Sequence, residues 1–121
     1  MAADSDGERA LTAAIAALDD RLRASLAGTT AVVALRTEGS FTVASVGDSA
    51  VVVCAPDGSF SVPIEPHSPD RADERARIEA SGGTVRRRGG RARLNGDLAV
   101  SRALGDAAYR PFGLTGEPDV W

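Results

Sequence analysis

Between Thr29 and Ile64 the chain carries four short runs of small, aromatic and β-branched residues, each broken from the next by a glycine-containing step. The runs are Thr29 to Leu35, Ser40 to Val46, Ala50 to Cys54 and Ser59 to Ile64. Residues of this kind fit a pleated, half-buried surface. Glu38-Gly39 and Asp57-Gly58 are hairpin signals, because glycine supplies the positive φ that a tight turn between strands requires. The pattern predicts an antiparallel meander over about 29–64, with Gly47-Asp48 at its middle turn.

The flanks read differently. From Asp6 to Leu26 the apolar residues Leu11, Ile15, Leu18, Leu22 and Leu26 recur at spacings of three and four, which predicts an amphipathic helix over about 6–26 with one buried stripe. A second helix is expected over about 70–81, opened by Pro69-Asp70 and closed at Gly82-Gly83, with a thin stripe of Ala72, Ala76, Ile78 and Ala80. Residues 83–121 show no clean period, and "RRRGGRAR" within them reads as a charged connection. The fold class is therefore α+β.

With 121 residues, of which 43% are hydrophobic, the chain suits one domain or part of a larger one. A net charge of -3 gives no global attraction to nucleic acid or to an anionic membrane. Every basic side chain but the one histidine is arginine, so a phosphate loop that relies on lysine is excluded. No segment has the apolar run of a membrane span or of a signal peptide, and a soluble, intracellular setting with cytoplasm as the default is expected. Cys54, the single cysteine, reads as a small buried hydrophobe and has no partner for an intramolecular disulfide.

Four features are candidates for chemistry. His67, the only histidine, lies between two prolines and reads as a surface or hydrogen-bonding residue. Ser49 lacks the second glycine of a nucleophile elbow, so neither residue supports a hydrolase triad. Arg86, Arg87, Arg88, Arg91 and Arg93 have guanidinium groups suited to phosphate, but no aromatic residue is interleaved with them, and a solvated loop is the favoured reading. Asp48, beyond the end of a predicted strand, is either a turn residue or a ligand for Mg²⁺ or Mn²⁺. Its residues alone favour the turn, with Glu65, Asp97, Asp106 and Asp119 as conceivable co-ligands.

Taken together, "GTTAVVAL", "ASVGDSAVVV", "PHSPDRADERARIEASGGTV", "RLNGDLAVSRALGD" and "GEPDV" have the order and spacing of blocks in the metal-dependent protein serine/threonine phosphatases. From Gly28 to Val120 the chain resembles this PPM, or type 2C, family. The resemblance implies an α-β-β-α layered domain, an antiparallel β-sandwich flanked by helices. It also implies a binuclear Mg²⁺ or Mn²⁺ centre and a metal-activated water that hydrolyses phosphoserine and phosphothreonine in phosphoproteins. Asp48 matches an aspartate of an accessory metal site in that family, and Ala50 stands where the same block usually has arginine. Pro66 stands where aspartate is more frequent. Asn95, Gly96, Ser101, Arg102, Gly105 and Asp106 match a block that looks structural.

The family's main metal-ligand motifs, an Asp-Gly-His-Gly-Gly segment and two later aspartate motifs, are not in this chain. The expectation is a single partial phosphatase domain over 1–121, truncated at both ends, with no catalytic residue of its own and no activity alone. The other reading is a catalytically dead, phosphatase-like binding module that engages a protein partner through an exposed sheet edge.

Overall fold

A computed structural model describes residues 5–121 of the chain. Helix α1 covers Ser5–Leu22 and helix α2 covers Ala72–Ala80. The strands are β1 (Gly28–Thr29), β2 (Ala31–Thr37), β3 (Ser40–Val46), β4 (Val53–Cys54), β5 (Phe60–Ser61), β6 (Val85–Arg88), β7 (Arg91–Leu94), β8 (Leu104–Gly105) and β9 (Asp119–Val120). They form four small antiparallel sheets, β1-β8, β2-β3-β9, β4-β5 and β6-β7.

Strand β3 organises this arrangement because it is covered on both faces. Alternation places Thr42, Ala44 and Val46 toward α1, where Ala44 and Val46 join Leu11, Ile15 and Leu104 in one core. Gly7 of α1 lies over Thr42 so closely that a Cβ there would stand 2.6 Å from the threonine hydroxyl oxygen. On the other face Val43 packs with Val51 and Ile64, and Trp121 covers this second core. A third core, Ile78, Leu94, Ala103 and Leu114, joins α2 to the hairpin β6-β7 and to the following segment. The far end of α1 is tied to the last third of the chain by Asp19, which accepts hydrogen bonds from both terminal nitrogens of Arg110.

Several details depart from the sequence pattern, each for a local reason. The chain between 29 and 64 is not a meander. Glu38-Gly39 does turn β2 onto β3 as a hairpin, with Thr37 opposite Ser40. On its other edge, however, β3 pairs with β9, so Gly47-Asp48 leads out of the sheet instead of into a neighbouring strand. Helix α1 ends at Leu22, and Leu26 is 81% exposed. Its buried line runs through Gly7, Leu11, Ile15 and Asp19, so Leu18 and Leu22 fall beside it.

Cys54 is exposed, not buried: β4-β5 is a two-stranded ribbon, and neither Val53 nor Cys54 joins a core cluster. In α2 the buried residues are Glu74 and Ile78, whereas Ala72, Ala76 and Ala80 face solvent. The segment read as irregular over 83–121 holds four strands and a 3₁₀ helix, Ala107–Phe112. Within it "RRRGGRAR" is a hairpin: Gly89 and Gly90, at φ 61° and 78°, form its two-residue turn.

Candidate functional site

Where β3 ends, the backbone turns sharply at Gly47, and Asp48 emerges exposed just beyond it. Gly47 has φ 102°, and a Cβ at this position would lie 2.4 Å from the Thr30 methyl group and 3.1 Å from the Arg102 carbonyl oxygen. Only glycine combines that conformation with that close approach. His67 then fixes the turn from both sides. Its Nδ1 accepts the Gly47 N–H at 3.0 Å, and its own N–H donates to the Gly47 carbonyl at 3.0 Å.

Because Nδ1 accepts, the ring proton must sit on Nε2, which donates to Asp119 Oδ2 at 2.9 Å. His67 is 0% exposed, so the expected surface position is corrected, and the hydrogen-bonding alternative describes it. Burial pushes the imidazole pKa below its usual 6.5, and the bond to Asp119 offsets this only in part. The histidine is accordingly a neutral link between the turn and a carboxylate.

From Asp119 the polar chain continues inward. Arg102 Nη1 donates to Asp119 Oδ1 at 3.3 Å, and Arg71 Nη2 donates to Oδ2 at 3.3 Å. Burial works to protonate Asp119, but the His67 hydrogen bond and the Arg102 charge outweigh it and keep the pKa below the ordinary value. Glu74, 0% exposed, accepts from Arg102 Nη2 at 2.7 Å and Nε at 3.0 Å, and also from Arg77 and Arg71. Burial opposes its ionisation, yet hydrogen bonds from Arg77 and Arg102 hold it well below the carboxylate range. Arg77 further donates to the carbonyls of Gly113 at 2.8 Å and Ser101 at 3.0 Å. Helix α2 thus presents one buried charge that is held by Arg71 and Arg77 of its own turns and by Arg102 from a distant segment.

The acidic residues considered as companions of Asp48 go elsewhere. Asp119 and Glu65 share a separate cleft with Arg71 and Asp73. Asp97 faces Arg88 at 3.6 Å. Asp106 sits at φ 47° and lies against Gly28, where a Cβ would stand 2.0 Å from its carboxylate. Asp48 itself lines a cleft with Ser68, Asp70, Arg87 and Arg91. A hard divalent cation takes six or so oxygen ligands and several negative charges or waters. Among the described residues no three His, Cys, Asp or Glu side chains are grouped to hold such an ion. Asp48 and its present neighbours therefore do not by themselves fit a resident Mg²⁺ or Mn²⁺.

The sequence pattern missed Glu74, Arg71 and Arg77, because the stripe expected for this helix was Ala72, Ala76, Ile78 and Ala80. The one signal available was the i, i+4 pair Glu74 and Ile78, which marks a stripe crossing the apolar one. Asn95 and Asp106, both at positive φ, and the buried Ser101 and Arg102 occupy positions consistent with a block that shapes backbone and core.

A helix over a three-stranded antiparallel sheet, a strand-end aspartate and a buried Glu-Arg network define a mixed α and β domain segment built around one acidic turn. The chain belongs to the protein phosphatase 2C family, whose model matches residues 2–121. Probable protein phosphatase 2C 75 of Arabidopsis thaliana is 45% identical over 102 residues, covering 84% of this chain and 24% of that protein. Human protein phosphatase 1F is 46% identical over 93 residues, 77% of this chain and 20% of its own length. Among solved structures, a Caenorhabditis elegans sex determining protein superposes with a TM-score of 0.79 at 30% identity, over 92% of this chain and 29% of its own. Serine-threonine phosphatase 2C from Toxoplasma gondii gives 0.69 at 27% identity, over 93% and 41% respectively. The chain thus spans about a quarter of the length of the curated relatives it matches.

Proposed function

We propose that this chain is a segment of a metal-dependent phosphatase domain acting on phosphoserine and phosphothreonine in proteins. In it, Asp48 is one ligand of an accessory Mg²⁺ or Mn²⁺ site completed by residues outside this sequence. The observation that carries the reading is the double hydrogen bond between His67 and Gly47, which holds the turn rigid while Asp48 stays exposed beside it. A turn that only reversed the chain needs no such clamp. The histidine, Asp119, Arg102 and Glu74 act as positioning residues for that turn, and no residue of this chain takes a catalytic role.

The reading is tested by assaying the purified chain on a phosphothreonine peptide with millimolar Mn²⁺. The expected result is no metal-dependent phosphate release above the protein-free blank. Turnover that disappears in Asp48→Ala would contradict it, because the chain would then hold a working centre of its own.

A further inference from the structure

The hairpin β6-β7 sets arginine against arginine. Its register pairs Arg86 with Arg93 and Arg88 with Arg91, while Val85 pairs with Leu94 and Arg87 with Ala92. Alternation therefore gathers Arg86, Arg88, Arg91 and Arg93 on one face. The opposite face is fixed by packing: Leu94 is in the core with Val85 against it, and Ala92 is buried. The arginine face cannot rotate away to relieve itself. Like charges directly opposite each other on an antiparallel pair are destabilising, and here two such pairs are adjacent.

Little within the chain neutralises them. Arg88 has Asp97 at 3.6 Å, and Arg93 donates to the carbonyls of Arg88 and Asp97 at 3.3 Å and 2.8 Å. The side chains of Arg86 and Arg91 have no hydrogen-bond or ion-pair partner among the described residues. Arg87, on the other face, is satisfied by Asp70 at 2.9 Å. In a chain whose net charge is -3, a purely solvated hairpin has no need to concentrate cations in this way. Arg91, at the turn end of this face, also reaches the cleft that contains Asp48, whose remaining hairpin lining is Arg87, Gly90 and Ala92.

We propose that the Arg86, Arg88, Arg91 and Arg93 face is a docking surface for an acidic, extended protein segment next to the residue to be dephosphorylated. The substrate part of this statement rests on the function proposed above. The geometry favours a peptide: same-face residues along a strand repeat at about 6.6 Å, the same repeat as alternate side chains of an extended chain with Asp or Glu at every second position. Guanidinium groups take carboxylates through paired hydrogen bonds. Single-stranded nucleic acid is disfavoured because the hairpin offers no aromatic side chain for base stacking.

Fluorescence anisotropy with labelled peptides tests the surface. Two phosphothreonine peptides would differ only in carrying Asp and Glu, or Asn and Gln, at alternate flanking positions, and each would also be made without phosphate. The chain is expected to bind the acidic peptides about tenfold more tightly than the neutral ones at low salt, whether phosphorylated or not. The Arg86→Gln/Arg91→Gln double variant is expected to lose that preference while unfolding at an equal or higher urea concentration, since repulsion is relieved. Equal binding of acidic and neutral peptides, a preference that survives the double variant, or tighter binding of a single-stranded RNA oligomer would overturn the proposal. Because the acidic preference is read on unphosphorylated peptides, it can fail while the phosphatase reading stands, and the reverse.

Discussion

Replacing Glu74 by alanine is expected to lower the unfolding free energy by about 3–5 kcal/mol. The magnitude follows from what remains: the guanidinium groups of Arg102, Arg77 and Arg71 converge on one carboxylate that is 0% exposed. Removing it leaves Arg77 with no carboxylate partner and the nearly buried Arg102 with Asp119 alone. Urea denaturation of the two proteins measures this directly. The double change Glu74→Met/Arg102→Met separates net worth from orphaned charge, since removing both partners together is expected to restore much of the loss. The exposed Asp6-Arg9 pair gives the contrast: its removal is expected to change stability by less than about 1 kcal/mol.

The second large effect centres on His67. Its replacement by alanine removes a fully buried ring and leaves the Gly47 N–H without its acceptor, for an expected loss of about 2–4 kcal/mol. The pH dependence identifies the cause. Burial holds the folded-state pKa below the ordinary 6.5, so the unfolded chain takes up a proton first as pH falls. The stability from the neutral histidine is present above about pH 6.5 and is lost below it. The slope approaches about 1.4 kcal/mol per pH unit until the folded-state pKa is reached. His67 is the only histidine, and the lowered carboxylate pKa values of Asp119 and Glu74 place their contribution at more acidic pH. Between pH 6.5 and about 5 the wild-type stability is therefore expected to fall while that of His67→Gln stays flat. A flat wild-type profile would show that His67 is not held neutral.

The parts of the fold that local chemistry decides were legible in the sequence. Glu38-Gly39 between two β-branched runs specifies the β2-β3 hairpin, because turn and alternation both act within a few residues. Both helices were legible in place, α2 from Pro69 and Gly82-Gly83 and α1 from Leu11 and Ile15. Their buried stripes were not, since Ala72, Ala76 and Ala80 face solvent and Leu18, Leu22 and Leu26 are exposed. The partner of β3 on its other edge was not legible, because β9 lies more than seventy residues further along the chain, and nothing near Gly47 marks it.

The candidate site divides in the same way. Asp48 stands out from its place beyond a strand and from the linked blocks that resemble the family. The clamp behind it does not, since His67, Asp119, Arg102 and Glu74 are brought together only by packing of distant segments. A charged run such as "DRADERAR" looks the same whether its acids meet water or a buried guanidinium. Arg102, 28 residues from Glu74, decides which.

The exposed edge of β2 and the exposed Phe41, Val52, Phe60 and Val62 show that this chain leaves sheet and apolar surface uncovered. The positioning network reaches the turn at Asp48 through His67, and Arg91 lines the cleft beside it. The hydrogen bonds that hold the turn come from the protein's own groups, whereas a cation at Asp48 requires further ligands.

Titration of the chain with Mn²⁺, followed through the electron paramagnetic resonance signal of the free ion, separates these two requirements. Because Asp48 offers only one carboxylate, the expected result is weak binding, no tighter than about 1 mM, spread over the exposed carboxylates and therefore not measurably changed in Asp48→Ala. Stoichiometric binding in the micromolar range that is lost in Asp48→Ala would contradict the account, because this chain would then complete a metal site by itself.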